Sequence, residues 1–304
     1  MPPNFHKIFN PLPRIFSRTA NASAKKLLIY LDQGVSSYSA YSCLSRFQHL
    51  LKPSLVSVSF ISSHAIKNEN WEQNTLALVI PGGRSKPYYL SLGEQGNQRI
   101  MEYVNAGGSY LGLCAGAYYA SKKTQFEIGS PLELQLECGL NFFQGTAIGP
   151  AYGGGQYSYY TLQGARAARI VWTSQELLSP GNEGFAYYNG GCYFSNNSNE
   201  PFEVLARYSD IHTSPAAVIE SKVGSGKIIL SGVHFEANPH LLRFYPSLHF
   251  KPNFIDNLIQ NENYQNAILC SILNRMGIPA NSFSPGLFSK ESENGPEIFS
   301  QHPR

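Results

Sequence analysis

The sequence has little charge and no cysteine spacing typical of a metal site or a disulfide framework. Only 14% of the 304 residues are charged, and 23 Lys and Arg nearly balance 20 Asp and Glu. A net charge of +3, with basic residues scattered singly, argues against a nucleic-acid or membrane partner. The five cysteines include no Cys-x-x-Cys pair. This disfavours zinc and disulfides and favours a reducing compartment.

Long apolar runs and a secretory signal are also missing. No stretch reaches the roughly 18 apolar residues of a membrane-spanning helix, and the N-terminus has no apolar signal-peptide core. We therefore predict a cytoplasmic protein. The first 31 residues lack Asp and Glu, as mitochondrial transit peptides do, but their prolines oppose an amphipathic helix. We predict a disordered leader over residues 1–25 and a disordered tail over residues 279–304.

The composition is typical of a folded protein, with 42% hydrophobic residues, 19 Tyr and 18 Phe. In the first half, apolar strands alternate with helical segments, which predicts an α/β, flavodoxin-like, mostly parallel sheet flanked by helices. In the second half, short strands between Gly and Tyr predict antiparallel hairpin insertions. We assign one domain to residues 26–278. The main predicted elements are strands at 26–31, 55–61, 76–80 and 109–113, helices at 35–51, 94–105, 115–121 and 253–276, and a helical turn at 70–74.

One cysteine is flanked by glycines on both sides, in the segment Gly112-Leu-Cys114-Ala-Gly116. Gly-x-Cys-x-Gly is the cysteine version of the nucleophile elbow, in which the nucleophile occupies a strained turn between a strand and a helix. The N-terminus of the following helix then faces the sulfur and favours the thiolate. The alternative is a buried core cysteine beside a tight turn.

A histidine and an acid follow a late apolar strand, as His234-Phe-Glu236. In extended chain, residues two apart point to the same side, so Glu236 is placed to accept from one imidazole nitrogen while the other faces a sulfur. The alternative is an ordinary histidine at a strand end. His64, which follows the second strand, is a second candidate.

A third requirement of a cysteine hydrolase is a set of amide donors for the oxyanion. Pro81-Gly82-Gly83 directly follows the third strand, and the carboxyl ends of parallel strands share one edge of the sheet. We predict an oxyanion hole from the amides of Gly82, Gly83 and Ala115. The alternative for Pro-Gly-Gly is a plain turn.

These motifs, in this order, resemble class I glutamine amidotransferase domains. Over roughly residues 26–240 the chain is more specifically similar to the amidotransferase-like N-terminal domain of eukaryotic-type biotin–protein ligases. Neither a Gly-Arg-Gly-Arg-type loop nor a Lys-Trp-Pro-type strand of the ligase half occurs, so we do not predict biotinylation. The strings that carry the narrower resemblance include Tyr30-Leu-Asp-Gln-Gly-Val-Ser36, Pro81-Gly-Gly-Arg84, Gly107-Gly-Ser-Tyr-Leu-Gly-Leu-Cys-Ala-Gly-Ala-Tyr-Tyr119, Gly164-Ala-Arg166 and Tyr188-Asn-Gly-Gly191.

The resemblance implies an amide hydrolase or amidotransferase with a Cys114-His234-Glu236 triad and no metal or organic cofactor. Its substrate is expected to be a small-molecule amide. Residues 241–304 are too few for an ammonia-accepting domain, so either simple hydrolysis or a protein partner, such as an acceptor subunit or a biotin ligase, is expected. The other hypothesis is a non-catalytic binding or regulatory module that acts on a biotin ligase or a small metabolite.

One position departs from the amidotransferase pattern. Four residues after the nucleophile, where that family usually has a glutamine-pocket Gln, this chain has Tyr118. Together with Tyr119, this predicts a more aromatic pocket. Arg84 beside the oxyanion loop is a candidate for binding a substrate carboxylate or, alternatively, a surface salt bridge. Glu127 is a candidate supporting acid of the site.

Overall fold

A computed structural model describes residues 25–137, 139–158, 161–174, 183–196, 200–242 and 253–280. The predicted leader and tail lie almost entirely outside these residues. The strands are β1 (Lys25–Tyr30), β2 (Val56–Ile61), β3 (Thr75–Ile80), β4 (Ser109–Leu113), β5 (Ser121–Phe126), β6 (Leu134–Leu136), β7 (Phe143–Gly149), β8 (Arg166–Trp172), β9 (Glu183–Tyr188), β10 (Tyr193–Ser195), β11 (Glu203–Tyr208), β12 (Ala216–Val223) and β13 (Gly226–Ser231). The helices are α1 (Ser37–Leu50), α2 (Ser63–Asn68), α3 (Ser85–Asn105), α4 (Ala115–Ala120), α5 (Pro239–Leu242), α6 (Phe254–Gln260) and α7 (Glu262–Arg275).

Five parallel strands form the centre of the fold, in the order β2-β1-β3-β4-β13. This is the flavodoxin-like order, with β13 in the fifth place. The central strands are short, almost wholly apolar runs, and β4 is buried along its whole length. Such runs suit parallel strands that are covered on both faces. The predicted α/β fold is therefore confirmed.

The second half of the sheet is mostly antiparallel. β12 forms a hairpin with β13, and the sheet continues through β10, β7, β5 and β6, with only β5 and β7 parallel to each other. On a branch from β12, strands β11, β8 and β9 pair antiparallel in succession. The hairpin insertions predicted from the short strands in this half are thus present.

Helices cover both faces of the parallel core. Leu27 and Ile29 of β1 pack in one buried cluster with residues of α1 and α7, whereas Leu28 and Tyr30 pack in a second cluster with residues of α2 and α3. This division follows from the strand geometry, because successive side chains point to opposite faces. Among the described residues, none of the helices has the length and apolar character needed to cross a membrane.

Three helical segments differ from the sequence prediction. The expected turn at 70–74 is not helical, and α2 lies upstream of it, where the Ser62 side chain accepts a hydrogen bond from the Ala65 amide and caps the helix. α3 begins nine residues earlier than predicted, because it continues through a non-helical Gly93 with φ 59°. The predicted closing helix is divided at Asn261 into α6 and α7.

Candidate active site

Cys114 lies at the carboxyl end of β4, between β3 and β13. Its amide donates to the Ser231 carbonyl at 2.8 Å, which extends the β4–β13 pairing by one residue. The backbone then turns sharply into α4, with φ 49° and ψ −102° at Cys114. This strained conformation is typical of a functional turn rather than of a core cysteine in a regular strand. The side chain is 6% exposed, and its sulfur lies 4.0 Å from the Asn189 carbonyl oxygen.

Nearby backbone atoms leave no room for a side chain at either glycine of the elbow. A Cβ on Gly112 would lie 2.6 Å from the Gly116 carbonyl oxygen. A Cβ on Gly116 would overlap the carbonyl oxygen of Ile80 at the end of β3. The Gly-x-Cys-x-Gly spacing therefore lets α4 begin directly against β3 and β4, which places the cysteine at the strand ends.

His234 and Glu236 follow β13, the strand adjacent to β4. The His234 amide donates to the Tyr187 carbonyl at 2.8 Å, and its Nδ1 lies 2.6 Å from Glu236 Oε1. Both side chains are buried. The strand order thus brings the predicted pair to the same sheet edge as Cys114. His64 is exposed on α2 and hydrogen bonds with Asn68.

The His234 imidazole is strongly coupled to its neighbours. Burial opposes its positive charge, but the Glu236 carboxylate and hydrogen bonds with the Cys114 and Glu236 side chains outweigh burial. The result is that the pKa of His234 rises from 6.5 to about 10. At neutral pH the imidazole therefore holds a proton between a carboxylate and a sulfur, which is the position of a general acid–base.

This raised pKa predicts a pH dependence of stability. A group whose pKa is higher in the folded state stabilises that state below its unfolded pKa, and the contribution is lost as pH rises through the folded pKa. We expect wild type to lose free energy of unfolding relative to Glu236→Gln between pH 6.5 and about 10. Urea denaturation of both proteins at half-unit pH steps measures the difference. Parallel curves for the two proteins would contradict the coupling.

The three predicted oxyanion amides are placed differently. The Gly82 amide donates to Ser39 Oγ at 3.0 Å, so this amide is engaged within the protein. Among the described residues, the amides of Gly83 and Ala115 donate no hydrogen bond, and both residues line the cleft that contains Cys114. Gly83 and Ala115 are therefore the available donors beside the sulfur.

Aromatic and glycine residues form about half of the wall of the cleft beside Cys114. The Tyr118 side chain is buried, and its hydroxyl donates to the Gly190 carbonyl at 3.1 Å. Arg84 lies at the exposed rim. The lining residues are Gly83, Arg84, Ser85, Cys114, Ala115, Tyr118, Thr124, Phe126, Leu134, Tyr157 and Gly190.

Two sequence candidates lie away from this cleft. Tyr119 is fully buried against α3, where its hydroxyl bonds Asn97 Oδ1 and its ring packs on Tyr88 and Tyr89. Glu127 is also buried, and its Oε2 accepts from the Gly155 amide at 2.7 Å. Neither side chain lines the cleft. Glu127 instead supports the loop that follows β7.

Sequence reasoning did not identify Ser39 or Asn189 as parts of this region. Ser39 Oγ contacts Glu236 and Gly82, whereas Asn189 presents its backbone carbonyl to Cys114. The string Tyr188-Asn-Gly-Gly191 was a signal that could have identified Asn189. Ser39 had no such signal, because a serine in an amphipathic helix is common. Among the described residues, no group of three or more His, Cys, Asp or Glu side chains is placed to bind a metal ion.

Comparison with known proteins identifies relatives over most of the chain. The model of the family described as "Biotin-protein ligase, N terminal" matches residues 25–300. An uncharacterized protein of Chlamydia muridarum is 34% identical over 256 residues, which cover 83% of this chain and 96% of that protein. A biotin–protein ligase of Schizosaccharomyces pombe is 35% identical over 215 residues, which cover 69% of this chain.

The alignment covers 33% of that ligase, so the chain corresponds to about a third of it. Among solved structures, a cytoplasmic protein of Salmonella typhimurium LT2 superposes with a TM-score of 0.47 at 16% sequence identity, with 83% of this chain and 99% of that chain covered. The family match and the two sequence relatives agree with the resemblance carried by the motifs. The chain therefore belongs to the biotin–protein ligase N-terminal domain family.

Proposed function

We propose that this protein is a cysteine-dependent amide hydrolase or amidotransferase-like enzyme that uses Cys114, His234 and Glu236. The observation that carries the proposal is the convergence of three strand ends. A strained cysteine elbow follows β4, a buried His–Glu pair follows β13, and a glycine loop follows β3. A nucleophile, a base oriented by a third group and nearby amide donors are the parts that acyl transfer through a thioester needs.

The proposed first step forms a bond between the Cys114 sulfur and the amide carbon of the substrate, after the thiol proton has passed to His234, which holds it at neutral pH. The carbonyl oxygen becomes an oxyanion, which the amides of Gly83 and Ala115 stabilise. The carbonyl then re-forms, the C–N bond breaks, and His234 returns the proton to the leaving amine. In the second half, water gives a proton to His234 and attacks the thioester, and the thiolate leaves. Glu236 holds the imidazole at Nδ1 throughout.

The walls of the cleft support an amide substrate with an apolar or aromatic part. Tyr118, Phe126 and Tyr157 stack edge to face along one side, with ring centroids 5.7 and 5.1 Å apart. Arg84 also lines the cleft, and we propose that its guanidinium binds a carboxylate of the substrate. Tyr118 fills the place of the usual glutamine-pocket residue, so we propose a substrate other than glutamine, and transfer of ammonia would require a partner protein.

A second candidate function is a binding or regulatory module that works with a biotin–protein ligase. The sequence relationship to the fission yeast ligase favours this candidate. In that protein, the region similar to this chain makes up about a third of a biotin–protein ligase. In this case the elbow and the His–Glu pair would serve recognition of a ligand or partner.

Reactivity of Cys114 separates the two candidates. Iodoacetamide labelling at pH 7, followed site by site by mass spectrometry, is expected to modify Cys114 at least about tenfold faster than a free cysteine in a peptide. Cys43 and Cys192 are internal controls, because burial raises the pKa of both thiols. A screen of amides, including glutamine and biotin amides, then compares hydrolysis by wild type and Cys114→Ala.

The proposal is contradicted if Cys114 reacts no faster than the free peptide thiol and wild type hydrolyses no amide faster than Cys114→Ala. An unreactive Cys114 together with binding to a biotin–protein ligase would support the regulatory candidate instead.

A further inference from the structure

A single serine hydroxyl connects the acid of the site to its glycine loop. Ser39 lies in the first turn of α1 and is 2% exposed. Its Oγ donates to Glu236 Oε1 at 2.9 Å and accepts from the Gly82 amide at 3.0 Å. The two partners are 197 and 43 residues away in the sequence and follow different strands. This hydroxyl is therefore a direct bridge between two parts of the proposed site.

The chemistry of the three groups sets the direction of both hydrogen bonds. A carboxylate only accepts and a backbone amide only donates, so the hydroxyl must give its proton to Glu236 and accept from Gly82. Glu236 Oε1 then receives two donors, Ser39 Oγ and His234 Nδ1. Its Oε2 has no hydrogen-bond partner among the described residues. Ser39 thus holds the same carboxylate oxygen that orients the imidazole.

The start of α1 also holds the other side of Gly82. The Ser36 amide donates to the Gly82 carbonyl at 2.9 Å. In a trans peptide the carbonyl and the following N–H point in opposite directions, so this bond turns the Gly83 N–H away from Ser36. Gly83 lines the cleft beside Cys114. The start of α1 therefore fixes the orientation of both peptide groups that flank Gly82.

We propose that Ser39 is a positioning residue that couples Glu236, and through it His234, to the Gly82-Gly83 amide loop. The inference deepens the proposed function and rests on it. If one group holds both the acid and the loop, loss of the hydroxyl loosens the imidazole and the oxyanion donors together. Other titratable groups near Cys114, His234 or Glu236 are the same in every variant below, namely Cys43, Tyr88, Tyr118, Tyr187, Tyr188, Cys192 and Tyr208.

The helix supplies a matched control one turn later. Ser42 is 1% exposed, and its Oγ accepts from the Asn238 amide at 3.3 Å. It has the same chemistry, helix and burial as Ser39 but contacts neither Glu236 nor Gly82. Ser42→Ala therefore reports the cost of losing a buried hydroxyl of α1 that does not bridge the site.

The test measures the rate of Cys114 alkylation by iodoacetamide from pH 5 to pH 10 in wild type, Ser39→Ala and Ser42→Ala. We expect Ser39→Ala to lower the rate at neutral pH by about tenfold, the size of one lost hydrogen bond to a charged group, and to move the midpoint of the profile upward. Ser42→Ala should follow wild type. Ser39→Gly removes the same hydroxyl, so its profile should agree with that of Ser39→Ala, although glycine destabilises the helix by about 1 kcal/mol relative to alanine.

A second readout does not depend on a reactive thiol. NMR titration of the His234 ring in a Cys114→Ala background is expected to show a lower midpoint with Ser39→Ala than with Ser42→Ala, because Glu236 is no longer held against Nδ1. An unreactive Cys114 in a wild type that also hydrolyses no amide faster than Cys114→Ala would overturn the proposed function, and the titration alone would then decide on Ser39. A reactive wild type with unchanged profile and titration in Ser39→Ala would overturn the Ser39 inference and leave the proposed function standing.

Discussion

Replacing Gly82 by alanine is expected to displace the His234 imidazole and to lower Cys114 alkylation at pH 7 by at least about tenfold. A Cβ at this position would overlap His234 Cε1 and lie 3.2 Å from Nε2, the nitrogen opposite the one that Glu236 holds. Gly82 does not have a positive φ, so the backbone itself accepts alanine. The extra methyl should cost about 2 kcal/mol of stability, the usual size of a local overpacking, and leave the fold intact.

A double-mutant cycle isolates this contact. In a His234→Ala background the ring that meets the new methyl is gone, so Gly82→Ala should lose most of its effect on the free energy of unfolding. Urea denaturation of the four proteins, together with the labelling rates of wild type and Gly82→Ala, gives the coupling. Equal costs of Gly82→Ala in both backgrounds would mean that the methyl meets something other than the imidazole.

Replacing Gly116 by alanine is expected to destabilise the whole domain, by about 3 kcal/mol or more. The new Cβ would overlap the carbonyl oxygen of Ile80 in β3, and backbone in the middle of the parallel core has little freedom to move. The Gly116 carbonyl also accepts from the Tyr110 hydroxyl at 2.8 Å, so a shift of α4 breaks a buried hydrogen bond. Thermal and urea unfolding measure the loss.

Gly96→Ala is the matched control for Gly116→Ala. Gly96 is also a buried helical glycine, in α3, but the nearest atoms to its Cβ are the Leu92 side chain at 3.0 and 3.1 Å. A side chain adjusts more readily than a backbone carbonyl, and alanine favours the helix by up to about 1 kcal/mol. The net change should therefore be below about 1 kcal/mol. Similar losses for the two variants would show that helix packing in general, rather than the elbow, sets the cost.

Much of the fold was predictable because its central strands are short apolar runs with clear ends. β1, β3 and β4 lie within one residue of their predicted bounds. Right-handed crossovers between such strands leave few arrangements of a parallel sheet. The starts of α2 and α3 were not predicted, since Ser62 caps a helix in a segment with few apolar residues and Gly93 looks like a helix boundary although α3 continues through it.

Some residues of the candidate site were predictable from the sequence and others were not. Cys114, His234 and Glu236 were identified from glycine spacing and from the i, i+2 relation, which are local properties of the chain. Tyr119 lies three residues after the elbow and Glu127 directly follows β5, and the two side chains point into the protein, toward α3 and the loop after β7. Closeness in sequence to a site residue does not determine whether a side chain faces the site, because that depends on the side of the helix or strand on which it lies.

By itself, the sequence determined the family, the order of strands and motifs, and the chemistry available at the sheet edge. These depend on local backbone preferences and on residue types, which a single chain displays directly. Only the tertiary structure decided which amides remain free, that Gly82 is engaged by Ser39, and that one hydroxyl bridges Glu236 and the glycine loop. Those contacts join α1 to segments as far as 197 residues away, and such pairings arise from how helices pack on the sheet rather than from any local pattern.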